Sequence, residues 1–545
     1  MTNNALAPGA AAEIATAPID AEPPIAPVIP PSESDPAGAV RTSRVVSGGL
    51  WGVGGQTVQM AASIIATPFL IRLLGADRMG VIGLVDTLNS YGVAADVGMG
   101  PASTKFGADA FGRGDQSSES AVVWTALLVS LIPTAAFAIL MMLAAGPLVD
   151  HILRVQGTLR TESVLALRLG ALVLCMRAIA GVLNTPQTVR LRLDLVSIIT
   201  YGGATLQILS VPFALWLLHG GLGTAMGVTV GVGVAIAIAQ AVVAQRMLPA
   251  LRRPRFATDL VPTLMRYGRS SFVLVVVTLV LFNSEKFLVS YFGSAEVLGY
   301  YIVSFRLSRM LAVLPGALSP PLLPAFARLH ATGDHRGAQV LYDRSLRWLL
   351  LVNVPLSVLF VFLARPLLMR WAGPSFAEHG AIALAVLSVG SIANGIAYVP
   401  ILLLQSLARI DLMARYLTML IVPYLAATAV MTHLWGPDGA AWAWTARACA
   451  ECGLLLLACR KAGGVTPSHL RSLTPILAPT LAMSLVLAVI PSSITIVFAG
   501  LLVAGALAMI VYVLLTWAVV LTRDERAWLV HHGGMLVSRM TGAPA

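Results

Sequence analysis

From Arg44 almost to the C-terminus, long apolar runs alternate with short polar breaks, and the runs share one length. Crossing a hydrocarbon core of about 30 Å at about 1.5 Å per residue takes roughly 20 residues. Runs of this size predict membrane helices at 47–71, 80–100, 121–145, 164–185, 196–218, 222–244, 268–292, 298–322, 347–364, 381–407, 415–434, 438–459, 473–490 and 494–520. The expectation is therefore an all-α, multi-pass membrane protein of about fourteen spans. The shortest run, 473–490, is followed by a tight turn at Pro491-Ser492-Ser493.

The first 40 residues read differently. They hold eight prolines, five acids and neither Lys nor Arg. Such a stretch has too few apolar side chains to build a core, which predicts a disordered tail. It lacks the basic start and apolar stretch of a signal peptide, so the first membrane helix is expected to stay uncleaved.

Composition agrees with the pattern. Only 11% of the 545 residues are charged and 57% are hydrophobic, whereas soluble domains carry roughly 25% charge. Mean hydropathy is +0.83. A soluble enzyme is excluded on these grounds. The net charge of +11 comes almost wholly from arginine, with lysine only at 105, 286 and 461. These bases are scattered between apolar runs, an arrangement that suits lipid headgroups and argues against nucleic acid as a partner. Cys175, Cys449, Cys452 and Cys459 all lie inside apolar runs, where they read as small packing residues. No cofactor or metal pattern emerges.

With the N-terminus placed in the cytoplasm, 24 basic residues fall on the cytoplasmic side and six on the outer side. Positive charge is retained inside, so both termini are expected in the cytoplasm of an inner-membrane protein.

A longer period underlies the spans. Phe69-Leu70 and Gly75 match Phe287-Leu288 and Gly293 at an offset of 218. After one inserted residue, Gly80, Pro101, Ala108 and Gly114-Asp115 match Gly299, Pro320, Ala327 and Gly333-Asp334. Six spans separate the copies, so both enter the membrane from the same side. Parallel repeats of this kind place a transporter's substrate site between the halves. The expected organisation is a tail at 1–43, a six-helix bundle at 44–246 and a basic linker at 247–265. A second six-helix bundle at 266–461, two extra helices at 462–522 and a C-terminal tail at 523–545 complete it.

These copies carry a resemblance. Pro68-Phe-Leu-Ile-Arg-Leu-Leu-Gly75, a second span ending Asp96-Val97-Gly98, and Lys286-Phe-Leu-Val, Leu298-Gly-Tyr-Tyr301, Phe305-Arg306-Leu307 and Pro324 resemble the polysaccharide-transporter, or oligosaccharide flippase, family. That family belongs to the multidrug/oligosaccharidyl-lipid/polysaccharide exporter superfamily. The resemblance covers most of 44–460. It implies a V-shaped pair of six-helix bundles that moves lipid-linked glycans from the inner to the outer leaflet, with membrane lipids and polysaccharide polymerase or export machinery as partners.

Ionisable groups at bilayer depth are costly and usually face a cavity or a partner. The bases are Arg168, Arg177, Lys286, Arg306, Arg309 and Arg447; the acids are Asp86, Asp96, Glu285 and Glu451. Guanidinium forks bind phosphate oxygens in pairs, so an arginine-rich cavity suits a pyrophosphate headgroup. Arg306 and Arg309, three residues apart on one face, are the leading ligands. Arg177 is expected to point inward in preference to Arg168, which lies about half a turn round the helix from it. Lys286 and Arg168 can instead snorkel, and Arg447 and Glu451, four apart, can neutralise each other. Asp86, Asn89 and Asp96 fall within an arc of about 80° and are candidates for counter-charge or ion coupling, as are Glu285 and Glu451; Asp96 also suits a cap. Gln56, Gln59 and Asn283 are placed to meet a sugar or to bond between helices.

The leading expectation is a flippase for undecaprenyl-pyrophosphate-linked oligosaccharide working by alternating access in O-antigen or exopolysaccharide synthesis. The chain lacks the G-x-x-x-x-G-K-[ST] nucleotide loop. The alternatives are a lipid II or multidrug exporter of the same superfamily, or a membrane glycosyltransferase or polymerase using the outer-loop residues Asp150, His151, Glu162, Glu378 and His379.

Overall fold

The computed structural model describes residues 36–94, 96, 98–463, 474–490, 498–523 and 525–527. The expected N-terminal tail up to residue 35, the Pro491-Ser492-Ser493 turn and the C-terminal residues from 528 lie outside the described residues. By contact, the chain from Gly48 onward forms one unit, and the helical residues 36–47 fall outside it.

Every regular element among the described residues is helical. The first stretch runs through α1 (Pro36–Ala94), α2 (Met99–Gly112), α3 (Gln116–Leu148), α4 (Gly157–Leu183), α5 (Thr185–Val189) and α6 (Leu193–Ser197). It continues through α7 (Gly203–Leu218), α8 (Leu222–Met247), α9 (Val261–Phe292), α10 (Ala295–Arg309) and α11 (Val313–Ala331). The last elements are α12 (His335–Trp371), α13 (Pro374–Ser406), α14 (Ile410–Gly463), α15 (Leu477–Val489) and α16 (Phe498–Leu515).

Against the fourteen expected spans, ten described helices are long and apolar enough to cross a membrane. Two of the ten are each a pair of expected spans. Gly75, at φ 77°, breaks α1 into two limbs, and Gly436, at φ 58° and followed by Pro437, breaks α14. Only glycine takes such dihedrals at little cost. The expected span at 298–322 is divided into α10 and α11 by a short 3-10 turn at Met310–Ala312. The expected span at 473–490 falls on a helix of 13 residues. Those two segments therefore do not count among the ten.

The repeated Gly-Asp pairs adopt one local structure in both copies. Gly114 (φ 71°) closes the end of α2, and Asp115 then caps α3, its carboxylate accepting the Ser117 and Ser118 N–H groups at 3.0 Å. Gly333 (φ 68°) closes α11, and Asp334 caps α12 by accepting the Gly337 N–H at 2.7 Å. Left-handed glycine followed by an acidic cap ends one helix and starts the next.

The largest core cluster positions the site. Val81, Leu84 and Val85 from the second limb of α1 pack with Ala145 of α3, Leu167 of α4, Leu298, Tyr301 and Ile302 of α10, and Trp444 of α14. The second limb of α1 and α10 meet at Gly80 and Gly299. Past this meeting, residues of both helices border an open space.

Candidate functional site

That space is a cavity of about 400 Å³. The first limb of α1 brings Gln56, Gln59 and Ser63 to it; the second brings Gly83, Asp86, Thr87 and Ser90. From α9 come Asn283 and Lys286, and from α10 Phe305, Arg306 and Arg309. A second cavity, about 650 Å³, opens beside it between α9, α13 and α14. Ser90, Asn283, Phe305 and Arg309 border both.

The charges are unevenly committed. Arg306 donates through Nη2 to Asp86 Oδ2 at 2.6 Å, bridging the two helices. Lys286 Nζ donates to Asn283 Oδ1 at 2.6 Å and sits 4.4 Å from the Phe305 ring centroid. Its nearest carboxylate oxygen, Glu285 Oε1, is 3.9 Å away. Arg309 is exposed to the cavities, lies 5.7 Å from the Phe282 ring centroid, and has no ion-pair partner among the described residues. The first cavity thus carries three bases against one acid. A surplus of oriented N–H donors in a recess can hold an anion, and a guanidinium can do so in bidentate fashion.

Other expected site residues lie elsewhere. Arg447 is buried and bound to Glu451, as four-residue spacing on one helix permits, and its guanidinium stacks 4.4 Å from the Phe282 ring centroid. Glu451 borders the second cavity while Arg447 lines neither. Glu285 is fully buried, accepts the Tyr424 hydroxyl at 2.9 Å and borders neither cavity. Arg168 and Arg177 are exposed on α4 and also border neither. On that helix Gly170 packs on Val85 and Leu174 on Gly92, so the packed face leaves both arginines outside the recess.

The expected polar arc in the second limb of α1 does not extend to its end. The helix stops at Ala94, and Gly98 turns left-handed before α2. Asp96 sits in that turn, bonded by the Ser130 hydroxyl and by the Met99 and Gly100 N–H groups. It precedes α2 and borders neither cavity. Asn89 is buried with Oδ1 unbonded among the described residues, and only Asp86 of the three reaches the space.

Sequence reasoning missed Asn394, Tyr398 and Gln405, which line the second cavity from α13. Their spacing of four and seven residues puts them on one helix face. A polar stripe within an otherwise apolar run was the available signal. The aromatic walls, Phe282 and Phe305, carry no such signal, since apolar helices hold many phenylalanines.

A sequence model described as polysaccharide biosynthesis protein matches residues 69–381, more than half of the chain. A candidate O-antigen transporter of Shigella flexneri is 21% identical over 418 residues, which cover 75% of this chain and 96% of that protein. Among solved structures, the lipid II flippase MurJ in an inward closed conformation superposes with a TM-score of 0.67 at 12% identity. That match covers 86% of this chain and 98% of the other. An inward-facing multidrug resistance transporter of the MATE family superposes with a TM-score of 0.62 at 14% identity, covering 76% and 96%. At these identities the structural likeness establishes the fold alone, one shared with both of these transporters. Sequence match and fold agree: the chain belongs to the polysaccharide biosynthesis protein family.

Proposed function

We propose that the protein translocates undecaprenyl-pyrophosphate-linked oligosaccharide across the inner membrane by alternating access, supplying surface polysaccharide such as O-antigen or exopolysaccharide. The observation that carries this reading is Arg309: a guanidinium without an ion partner among the described residues, bordering both cavities. Lys286 adds a second positive charge beside it.

In this reading the units 44–246 and 266–461 are the moving halves, 247–265 links them, and both termini face the cytoplasm. The pyrophosphate enters the recess from the inner leaflet and binds Arg309 and Lys286. The isoprenoid tail remains among lipid. Arg306 and Asp86, one from each half, form a contact that the rocking motion must break and remake. The names of the relatives, an O-antigen transporter and a lipid II flippase, support a lipid-linked glycan as cargo.

The competing readings fit less well. A drug-cation exporter would benefit from acidic surplus, and the first cavity has the opposite. Lipid II is also a pyrophosphate lipid and differs in the group beyond the phosphate. A polymerase needs free outer-loop acids, yet Asp150 is held by Arg160 at 2.6 and 2.8 Å, and Glu162 by Arg78 at 2.9 and 3.1 Å.

The test is reconstitution of the purified protein in proteoliposomes with a labelled lipid-linked glycan on one leaflet. Appearance of label on the opposite leaflet, lost in Arg309→Gln, supports the reading. Wild-type flipping no faster than in protein-free vesicles, or undiminished flipping in Arg309→Gln, overturns it.

A further inference from the structure

The second cavity has features that phosphate binding does not require. Asn394 is 8% exposed, borders the cavity, and its carboxamide has no hydrogen-bond partner among the described residues. Tyr398 and Gln405, one and three turns further along α13, border it too and are likewise without side-chain hydrogen bonds among the described residues. Phe282 of α9 and Phe305 of α10 add aromatic side chains to the lining. Glu451 is already tied to Arg447, so Arg309 at the entrance is the one uncommitted charge among the described lining residues.

A ligand that displaces water from amide and hydroxyl groups lining a recess must reproduce their hydrogen bonds or lose affinity. An amide offers donor and acceptor together, as does a hydroxyl, and adjacent sugar hydroxyls present the same pairing. Aromatic faces suit the C–H face of a pyranose ring. An isoprenoid tail would leave the α13 groups unpaired, and beyond Arg309 a charged ligand would find no free counter-ion among the described lining residues. The volume, about 650 Å³, lies in the range that encloses a small organic ligand.

We infer that this annex is a saccharide subsite: Asn394, Tyr398 and Gln405 bind the neutral sugar next to the pyrophosphate, while Arg309 at the shared wall holds the phosphate. This rests on the flippase reading and adds to it a selectivity element. The annex makes the protein prefer a glycosylated carrier to the bare one, because a site built around hydroxyl hydrogen bonds rejects a ligand that lacks them.

The experiment uses the full chain in lipid nanodiscs. Two probes are titrated, polyprenyl pyrophosphate and polyprenyl pyrophosphate bearing a disaccharide. Wild type is expected to bind the glycosylated lipid about tenfold or more tightly. Asn394→Leu with Gln405→Leu is expected to bring the glycosylated lipid down to the level of the bare one. Tyr398→Phe, which removes a single hydroxyl, gives a partial loss of preference should the double variant fail to fold. Arg309→Gln weakens both lipids by the same factor. The inference is overturned if wild type binds both probes equally, or if the α13 variants weaken both alike. If wild-type protein binds neither, the flippase reading falls and the subsite with it.

Discussion

Gly80 and Gly299 meet in a reciprocal contact. A Cβ added at Gly80 would lie 1.8 Å from the Ala295 carbonyl oxygen and 3.1 Å from the Gly299 nitrogen. One added at Gly299 would lie 2.1 Å from the Ala76 carbonyl oxygen and 3.2 Å from the Gly80 nitrogen. Ala76 and Ala295 are themselves separated by 219 residues, the offset that relates the two glycines. Equivalent residues touching each other in both directions is what a two-fold relation between repeats produces. Because the obstacles are backbone atoms, no side-chain rotation relieves them.

Gly80→Ala or Gly299→Ala should therefore force the second limb of α1 and α10 apart, with an overpacking cost of about 1–3 kcal/mol. Gly54→Ala, where nothing lies within 4 Å, is the control. Thermal melting in detergent should show a clear loss for the first two and little change for the third. Equal melting temperatures would contradict the crossing geometry.

Arg306 and Arg309 should separate functionally. Losing a charge-assisted hydrogen bond to cargo costs about 1.5–3 kcal/mol, roughly 10- to 100-fold in affinity. Arg309→Gln should show this in binding of a pyrophosphate lipid. Arg306→Gln alone leaves Asp86 unpaired at the recess and should also weaken anion binding. Adding Asp86→Asn should restore much of it, because the paired charges leave together. A double variant no better than Arg306→Gln would place Arg306 on the cargo directly.

The Arg447–Glu451 pair is buried in α14, with relative side-chain exposures of 1% and 5%. Removing one partner leaves an uncompensated charge, a loss of about 3–5 kcal/mol. Arg447→Met should accordingly lower the melting temperature sharply. Arg447→Met with Glu451→Leu should recover most of the stability, since apolar replacements of a buried pair are often neutral.

Asp115 gives a pH effect of known sign. The Ser118 hydroxyl, then the Ser118 and Ser117 N–H groups, hold its carboxyl below the usual carboxylate range. A folded-state value below the unfolded one means the cap stabilises fully above the unfolded value. It is lost as acidity rises through the folded value. Asp115→Asn should flatten the fall of melting temperature below about pH 4, where Asp ordinarily titrates. An unchanged acid slope would deny the cap its role.

Much of the fold was legible before any coordinates. Run length marked the membrane helices, and the matched Gly114-Asp115 and Gly333-Asp334 pairs marked equivalent junctions, because left-handed glycine and helix capping are local chemistry. The four-residue spacing of Arg447 and Glu451 announced their pairing for the same reason. Span count was less legible: α1 and α14 continue as helix on both sides of Gly75 and Gly436, and α10 stops early at Arg309.

The site divided along the same line. Period and charge bring Asp86, Arg306, Arg309 and Lys286 forward as intramembrane polar groups, and all four border the first cavity. They say nothing of which helix face is covered by a neighbour. That is a property of packing between segments hundreds of residues apart, and it put Arg168 and Arg177 outside the recess, sealed Glu285 against Tyr424, and left Arg309 rather than Arg306 uncommitted. Short-range chemistry is written in adjacent residues; the availability of a charge depends on what distant segments bring against it.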